Sequence, residues 1–221
     1  MTIHIHIPST DGQALALGNI FCVGHNYVAH IQELGAIERA QPVIFIKPTS
    51  ALCLSGQDIR LPRFSHNVHY ECELVLRLGS GGKNISADAA LAHISHVGIG
   101  LDLTARDTQD VAKKNGLPWA ISKGFDNAAC LSPLLPISAV PDLQQLRFSL
   151  HLNGELRQRG HVPLMIFSPA AIIAYLSSIF TLQEGDLIYT GTPQGVGAIH
   201  AGNDLELDLG GLLKTHFHVA G

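Results

Sequence analysis

The sequence is poor in charge. Asp, Glu, Lys and Arg make up 14% of its 221 residues, against 46% hydrophobic, a balance that excludes a disordered chain. It lacks a basic stripe. The densest basic cluster is Lys113-Lys114 and the net charge is −4, so no nucleic-acid partner is expected. It lacks CxxC, HExxH and any Cys/His pairing at zinc spacing, although it carries 13 His, which excludes the common zinc motifs. Cys22, Cys53, Cys72 and Cys130 are therefore expected to be reduced, buried thiols of a cytoplasmic protein. The opening MTIHIHIPST has neither a basic n-region nor an apolar h-region, so no secretory leader is expected. A membrane span is missing too. Residues 161–183 carry no formal charge, but Ser168-Pro169 reads as an N-cap followed by proline at the first helical position. The helix that remains, Pro169 to Phe180, falls short of the ~20 residues a span needs. GTPQGVG lacks the GxxxxGK[ST] pattern and GSGG at 79–82 reads as a turn, so neither supports nucleotide binding.

What the sequence has is short β-branched runs punctuated by 22 Gly and 11 Pro. NIFCVG, PVIFIKP, HYECELVLRLG, HVGIGLDL, QLRFSLHLNG, GDLIYTG, NDLELDLG and LLKTHFHVA read as strands. Asn153-Gly154 predicts a hairpin turn with ELRQRG returning. Helices are expected only over Asn26–Leu34, Ala87–Ala92, Thr108–Asn115 and Pro169–Phe180. No repeat or low-complexity linker divides the chain. The expectation is one domain over 1–221, with 1–17 a short N-terminal extension, and a β-dominated α+β sandwich or roll with helices at its edges. Helices and strands do not alternate regularly, which argues against a doubly wound sheet.

Three carboxylates stand out. Glu71 and Glu73 flank Cys72 in a strand-like run, and side chains two apart on a strand share a face. Asp102 closes a second apolar run, VGIGL, near that strand's end. Three hard oxygen donors converging on one point suit Mg²⁺, with Mn²⁺ or Ca²⁺ as alternatives. For Glu-x-Glu alone, a solvated strand face is the commoner explanation.

Beyond Asp102, a helix starting at once would put Asp102, Arg106 and Gln109 on one face through i, i+4 and i+7 spacing. A cation and an amide beside a metal ligand suit a substrate carboxylate; an ordinary exposed helix start is the plainer alternative. Lys123 lies among apolar residues in GLPWAISKGFD, and by itself reads as a surface lysine. His30 and Glu33 are three apart in GHNYVAHIQELG, so on a helix the carboxylate can orient the imidazole as a general base. A surface pair is the plainer reading of such a spacing.

Taken together, GHNYVAHIQELG, PVIFIKP, VHYECEL, GIGLDLTARDTQ, KKNGLPWAISKGFD, LNGELRQ, MIFSPAAIIAYLS and EGDLIYTGTPQGVG resemble the fumarylacetoacetate hydrolase family, in its acylpyruvate-hydrolase (fumarylpyruvate hydrolase-like) branch. They occur in family order over roughly residues 18–200. The resemblance implies a mixed β-sandwich roll of the family's C-terminal-domain type, usually a homodimer, with one divalent cation per subunit. It places the metal ligands on Glu71, Glu73 and Asp102, a catalytic His and Glu of a mobile lid on His30 and Glu33, and the active-site lysine on Lys123. Substrate contacts fall on Arg106, Gln109 and Thr192. One departure is His25, where many relatives carry Arg.

The reaction implied is hydrolysis of a 2,4-diketo acid to pyruvate and a carboxylic acid. His30, held by Glu33, would take a proton from water, and Lys123 and the metal would stabilise the pyruvate enolate that leaves. Arg106 and Gln109 would grip the carboxylate. Residues around 25–35 would close over the substrate. Oxaloacetate decarboxylation needs the same chelate and enolate but no attacking water, and an isomerase/decarboxylase of 2-oxo diacids is a third expectation. A non-catalytic metal-binding protein is the alternative of another class.

Overall fold

The computed structural model describes residues 5–33 and 40–221. Leu34, the predicted last residue of the first helix, lies outside them, as does the end of the stretch expected to close over substrate. So do the first four residues of the expected N-terminal extension.

The apolar runs expected to be extended form strands, one of them divided between two sheets, and the architecture is a β-dominated α+β fold. The main sheet has eight strands. Seven lie in the order Val43–Lys47, Ile20–Gly24, Leu187–Tyr189, Cys72–Leu78, Ile94–Asp102, Ala129–Leu131, Leu52–Leu54, and Leu135–Pro136 pairs alongside Ile94–Asp102. Two pairings are parallel, Leu187–Tyr189 with Ile20–Gly24 and Ala129–Leu131 with Leu52–Leu54. The central pair, Cys72–Leu78 and Ile94–Asp102, is antiparallel. All seven residues of Cys72–Leu78 are buried, because both faces of the sheet are covered. A four-stranded antiparallel sheet, Glu155–His161, Arg147–Leu152, Asp204–Leu209, Leu213–His218, packs beside it. Its hairpin turns at Asn153 and Gly154, with φ of 52° and 80°, the two positive values that a type I′ turn requires.

The run HYECELVLRLG is not one strand. Val68–Tyr70 belongs to a small three-stranded sheet with Thr104–Ala105 and Gly197–Ala198, and Cys72–Leu78 to the main sheet. The chain passes from one sheet to the other at Glu71. Its neighbour does the same at Leu103, between Ile94–Asp102 and Thr104–Ala105. The two crossings lie side by side, since Asp102 N–H donates to Glu71 O at 2.8 Å. Two strands leaving a sheet together open a cleft at its end, and that cleft holds the carboxylates.

The helices are few, as expected, with small differences at their ends. Val28–Glu33 replaces Asn26–Leu34, and Ala87–Ala90 passes into a 3₁₀ turn over Leu91–His93. Pro169–Ile179 starts at Ser168, whose hydroxyl accepts from Ala171 N. Arg106–Asn115 begins two residues earlier than predicted and stops at Gly116, left-handed at φ 64°, the common glycine ending. Asp102 therefore precedes this helix and sits at a strand end. It does not share a helical face with Arg106 and Gln109. Ala120–Lys123 is a one-turn helix for which the sequence carries no periodic signal. All four cysteines are buried and free. Among the described residues no helix is long and apolar enough to cross a membrane.

Candidate active site

Glu71, Glu73 and Asp102 each offer a carboxylate oxygen within 4.8 Å of the others, and all three are buried. Sheet register explains the cluster. Glu73 pairs with Gly100 across the central ladder, and Glu71 lies beside Asp102 two residues on. Gly100 is required there: a Cβ would fall 2.3 Å from Cys130 O and 2.9 Å from the Tyr189 ring. Backbone bonds lock Glu-x-Glu in place. Cys72 N–H donates to Gln158 Oε1 at 2.9 Å, and Cys72 O accepts from the Thr192 hydroxyl at 2.9 Å. Gln158 Nε2 then donates to Thr192 Oγ1 at 2.8 Å.

Carboxylates this close repel unless cations intervene. Lys123 Nζ lies between two of them, 2.8 Å from Glu71 Oε2 and 2.7 Å from Asp102 Oδ2, and donates also to Thr104 Oγ1 at 2.7 Å. Arg106 reaches Glu71 Oε1 at 2.5 Å and Gln109 Oε1 at 2.6 Å. Lys47, which sequence reasoning missed, is 1% exposed. Its ammonium donates to Leu103 O and Lys123 O and lies 2.8 Å from Asp102 Oδ1. That last contact is an ion pair, and among the described residues Asp102 Oδ1 accepts no hydrogen bond besides it. The only sequence signal for Lys47 was a lysine ending the apolar strand VIFIK. Three cations thus face three carboxylates.

The charges are unevenly shared. Burial would raise the Glu71 pKa, but Lys123 and Arg106 outweigh it and hold the carboxyl well below its usual range. Glu73 has no ion pair among the described residues, and Gly191 N–H donates to its Oε2 at 2.7 Å. Burial, then Asp102 and Glu71, push its carboxyl well above the usual range. An under-compensated buried carboxyl and an all-oxygen donor set together fit a divalent cation.

Across the same cavity lies His30, 3% exposed. Its Nδ1 is 3.2 Å from Glu33 Oε2. A carboxylate there fixes the proton on Nδ1 and leaves Nε2 basic. Glu33 is held in turn by Gly195 N–H, 3.1 and 3.2 Å from its two oxygens. Buried Asn26 anchors the approach to this helix: its amide donates to Thr190 O and Phe167 O, and its Oδ1 accepts from Phe167 N. The loop GTPQGVG is therefore part of the site, supplying Gly191 to Glu73, Gly195 to Glu33, and Thr192 to the cavity wall.

The cavity is lined by Glu71, Glu73, His30, Lys123, Arg106, Gln109 and Thr192; Asp102 joins them through the carboxylate cluster. His25 lines it too, left-handed at φ 60°, with its ring 6.4 Å from Trp119. Thr192 has its hydroxyl bonded to Cys72 O and Gln158, which leaves one lone pair for a ligand. Sequence reasoning missed Gln158, Gly191 and Gly195, whose roles depend on segments remote in the chain.

Residues 19–220 match the family model "Fumarylacetoacetate (FAA) hydrolase C-terminal". The chain is 42% identical over 201 residues to "Oxaloacetate tautomerase FAHD1, mitochondrial" of Rattus norvegicus, covering 91% of each. It is 39% identical over 194 residues to "Oxaloacetate decarboxylase, mitochondrial" of Dictyostelium discoideum, covering 87% of this chain and 89% of that one. Among solved structures, fumarylpyruvate hydrolase from Pseudomonas aeruginosa in complex with Mn²⁺ and pyruvate superposes with a TM-score of 0.95 at 36% identity. That match covers 100% of this chain and 97% of the other.

Proposed function

The chain belongs to the fumarylacetoacetate hydrolase family, and we propose that it hydrolyses the carbon–carbon bond of acylpyruvates, giving pyruvate and a carboxylic acid. The observation that carries this is the placing of the His30–Glu33 pair and the Glu71–Glu73–Asp102 cluster on one cavity. An enolate site and a proton-transfer site are then within reach of one small substrate.

Glu71, Glu73 and Asp102 would hold the divalent cation, with Mg²⁺ the proposed ion and Mn²⁺ the one in the structurally similar fumarylpyruvate hydrolase. When bound, it supplies Lewis-acid polarisation of a 2-oxo acid. Lys123 places a positive charge beside the cluster, where enolate charge develops. Gln109 and Arg106 orient the substrate carboxylate. Arg106 already spends two nitrogens on Glu71 and Gln109, so its part is chiefly the positive charge it holds at the cavity wall. His30 takes the proton of the attacking water at Nε2 and later returns it to the enolate carbon; Glu33 stabilises the imidazolium between these steps.

A second reading is favoured by the relatives. Two carry names of oxaloacetate enzymes, a tautomerase and a decarboxylase. Decarboxylation would release the same pyruvate enolate as the hydrolysis, whereas tautomerisation would pass through the enolate of oxaloacetate itself, with His30 Nε2 moving a proton to or from C3 without water.

One experiment separates the two. Purified protein is given acetylpyruvate, fumarylpyruvate or oxaloacetate, with Mg²⁺ and with chelator, and enol absorbance and pyruvate release are followed. Metal-dependent cleavage of a diketo acid with stoichiometric pyruvate supports the hydrolase. Oxaloacetate enol–keto exchange or decarboxylation with the diketo acids untouched overturns it in favour of the second reading.

A further inference from the structure

The helix Arg106–Asn115 carries Arg106, Gln109 and Lys113 at i, i+3 and i+7, a single face, and all three line the cavity. They form a ladder. Arg106 and Gln109 are buried beside Glu71, whereas Lys113 stands about 10 Å along the helix axis from Arg106 and about 6 Å, one turn, beyond Gln109. Its ammonium sits 5.5 Å from the centre of the Trp119 ring, which steadies a flexible side chain over the cavity mouth. No carboxylate lies within ion-pair distance of it among the described residues. The neighbouring Lys114 does not line the cavity.

Charge counting gives this lysine a purpose. Lys47, Lys123 and Arg106 match Glu71, Glu73 and Asp102 in number, although their ion pairs are with Glu71 and Asp102 alone. A divalent cation would add two positive charges at the inner end, and Lys113 adds another at the mouth. One carboxylate cannot meet charges at both ends of the cavity.

We propose that Lys113 is a specificity-determining residue that binds a second, distal carboxylate, so that the preferred substrates are dianionic 2-oxo diacids, with monoanionic acylpyruvates disfavoured. This rests on the 2-oxo acid reading of the site given above. The rival destination for the distal end is an apolar groove of about 420 Å³ along Val43–Ile46 and Leu117–Ala120, which shares Phe45, Trp119 and Lys123 with the cavity. That groove would take an uncharged acyl chain instead.

The test uses two unreactive ligands of the same shape, N-oxalylglycine and N-ethyloxamate, in which a methyl replaces the distal carboxylate. Calorimetry on the Mn²⁺-loaded protein measures both. The expected result is that wild type binds the dianion at least about tenfold tighter, the scale of one charge-assisted hydrogen bond. Lys113→Met should remove most of that preference by weakening N-oxalylglycine alone. Lys113→Arg and Lys114→Met should keep it. Equal or tighter binding of N-ethyloxamate by wild type overturns the proposal and points to the apolar groove. A preference that survives Lys113→Met, or is lost equally in Lys114→Met, also overturns it. If neither compound binds the loaded protein, the 2-oxo acid reading itself fails, and the proposal with it.

Discussion

Gly195 N–H donates to both carboxylate oxygens of Glu33, at 3.1 and 3.2 Å. Residues 162 positions apart thereby fix the acid that holds His30. The contact needs a glycine, because Gly195 has φ +95° and an added Cβ would lie 2.2 Å from Arg157 O. Gly195→Ala should shift this loop. Backbone strain of this kind costs about 1–3 kcal/mol, or roughly 2–12 °C in Tm for a chain of this size. Turnover should fall while cation affinity is kept. A variant with wild-type Tm and turnover would show that the loop gives at no cost.

His30→Ala should lower turnover by about 10²–10⁴-fold, the usual worth of a general base, without weakening cation binding measured by calorimetry. Glu33→Gln should cost less, since an amide can still hold the ring but cannot stabilise its charged form. Equal losses in the two variants would mean that Glu33 does more than orient.

Glu73 leads to a paradoxical stability prediction. Burial, with Asp102 and Glu71 nearby, raises its folded pKa above the unfolded value. In the metal-free protein, the stabilising contribution is full below the unfolded pKa and is lost as pH rises through the folded pKa. Metal-free Glu73→Gln should therefore melt higher than wild type at alkaline pH, by roughly 2–4 °C per kcal/mol of relief. The gap should close in acid, and the variant should gain little from Mg²⁺ while wild type gains. A variant that melts lower at every pH would contradict this.

Lys47→Met leaves Asp102 with one cation fewer in a fully buried place and two carbonyls without a donor. Breaking a buried pair in this way costs about 3–5 kcal/mol. Lys214 pairs with Glu206 and Asp208 on the surface, and its removal should change stability by no more than about 1 kcal/mol. Denaturant titration of the two variants makes the comparison. Equal effects would show that Lys47 only fills space.

Much was legible in the sequence because it depends on local order. Strands announced themselves through β-branched runs between turn residues, the hairpin through Asn153-Gly154, and the α helix after Ser168-Pro169 through its cap. Glu71 and Glu73 share a face because strand geometry repeats every two residues. His30 and Glu33 meet because helix geometry brings i and i+3 together. What lay outside local order was decided by tertiary structure. HYECELVLRLG reads as one strand, yet it divides at Glu71, because Val68–Tyr70 and Cys72–Leu78 find different partners. Asp102 ends its strand as the run VGIGL indicated, but it does not share a helical face with Arg106, whose helix starts only at Arg106 itself. Lys47 and Lys123 read as an apolar strand's last residue and a surface lysine, but packing drives both ammonium groups into the carboxylate cluster. Gln158 lies in a hairpin strand that otherwise reads as polar and exposed, and it braces Cys72 from 86 residues away. Residue type and spacing determine which groups can act. Only the folded chain decides which charges are buried together, because that depends on contacts between segments distant in sequence.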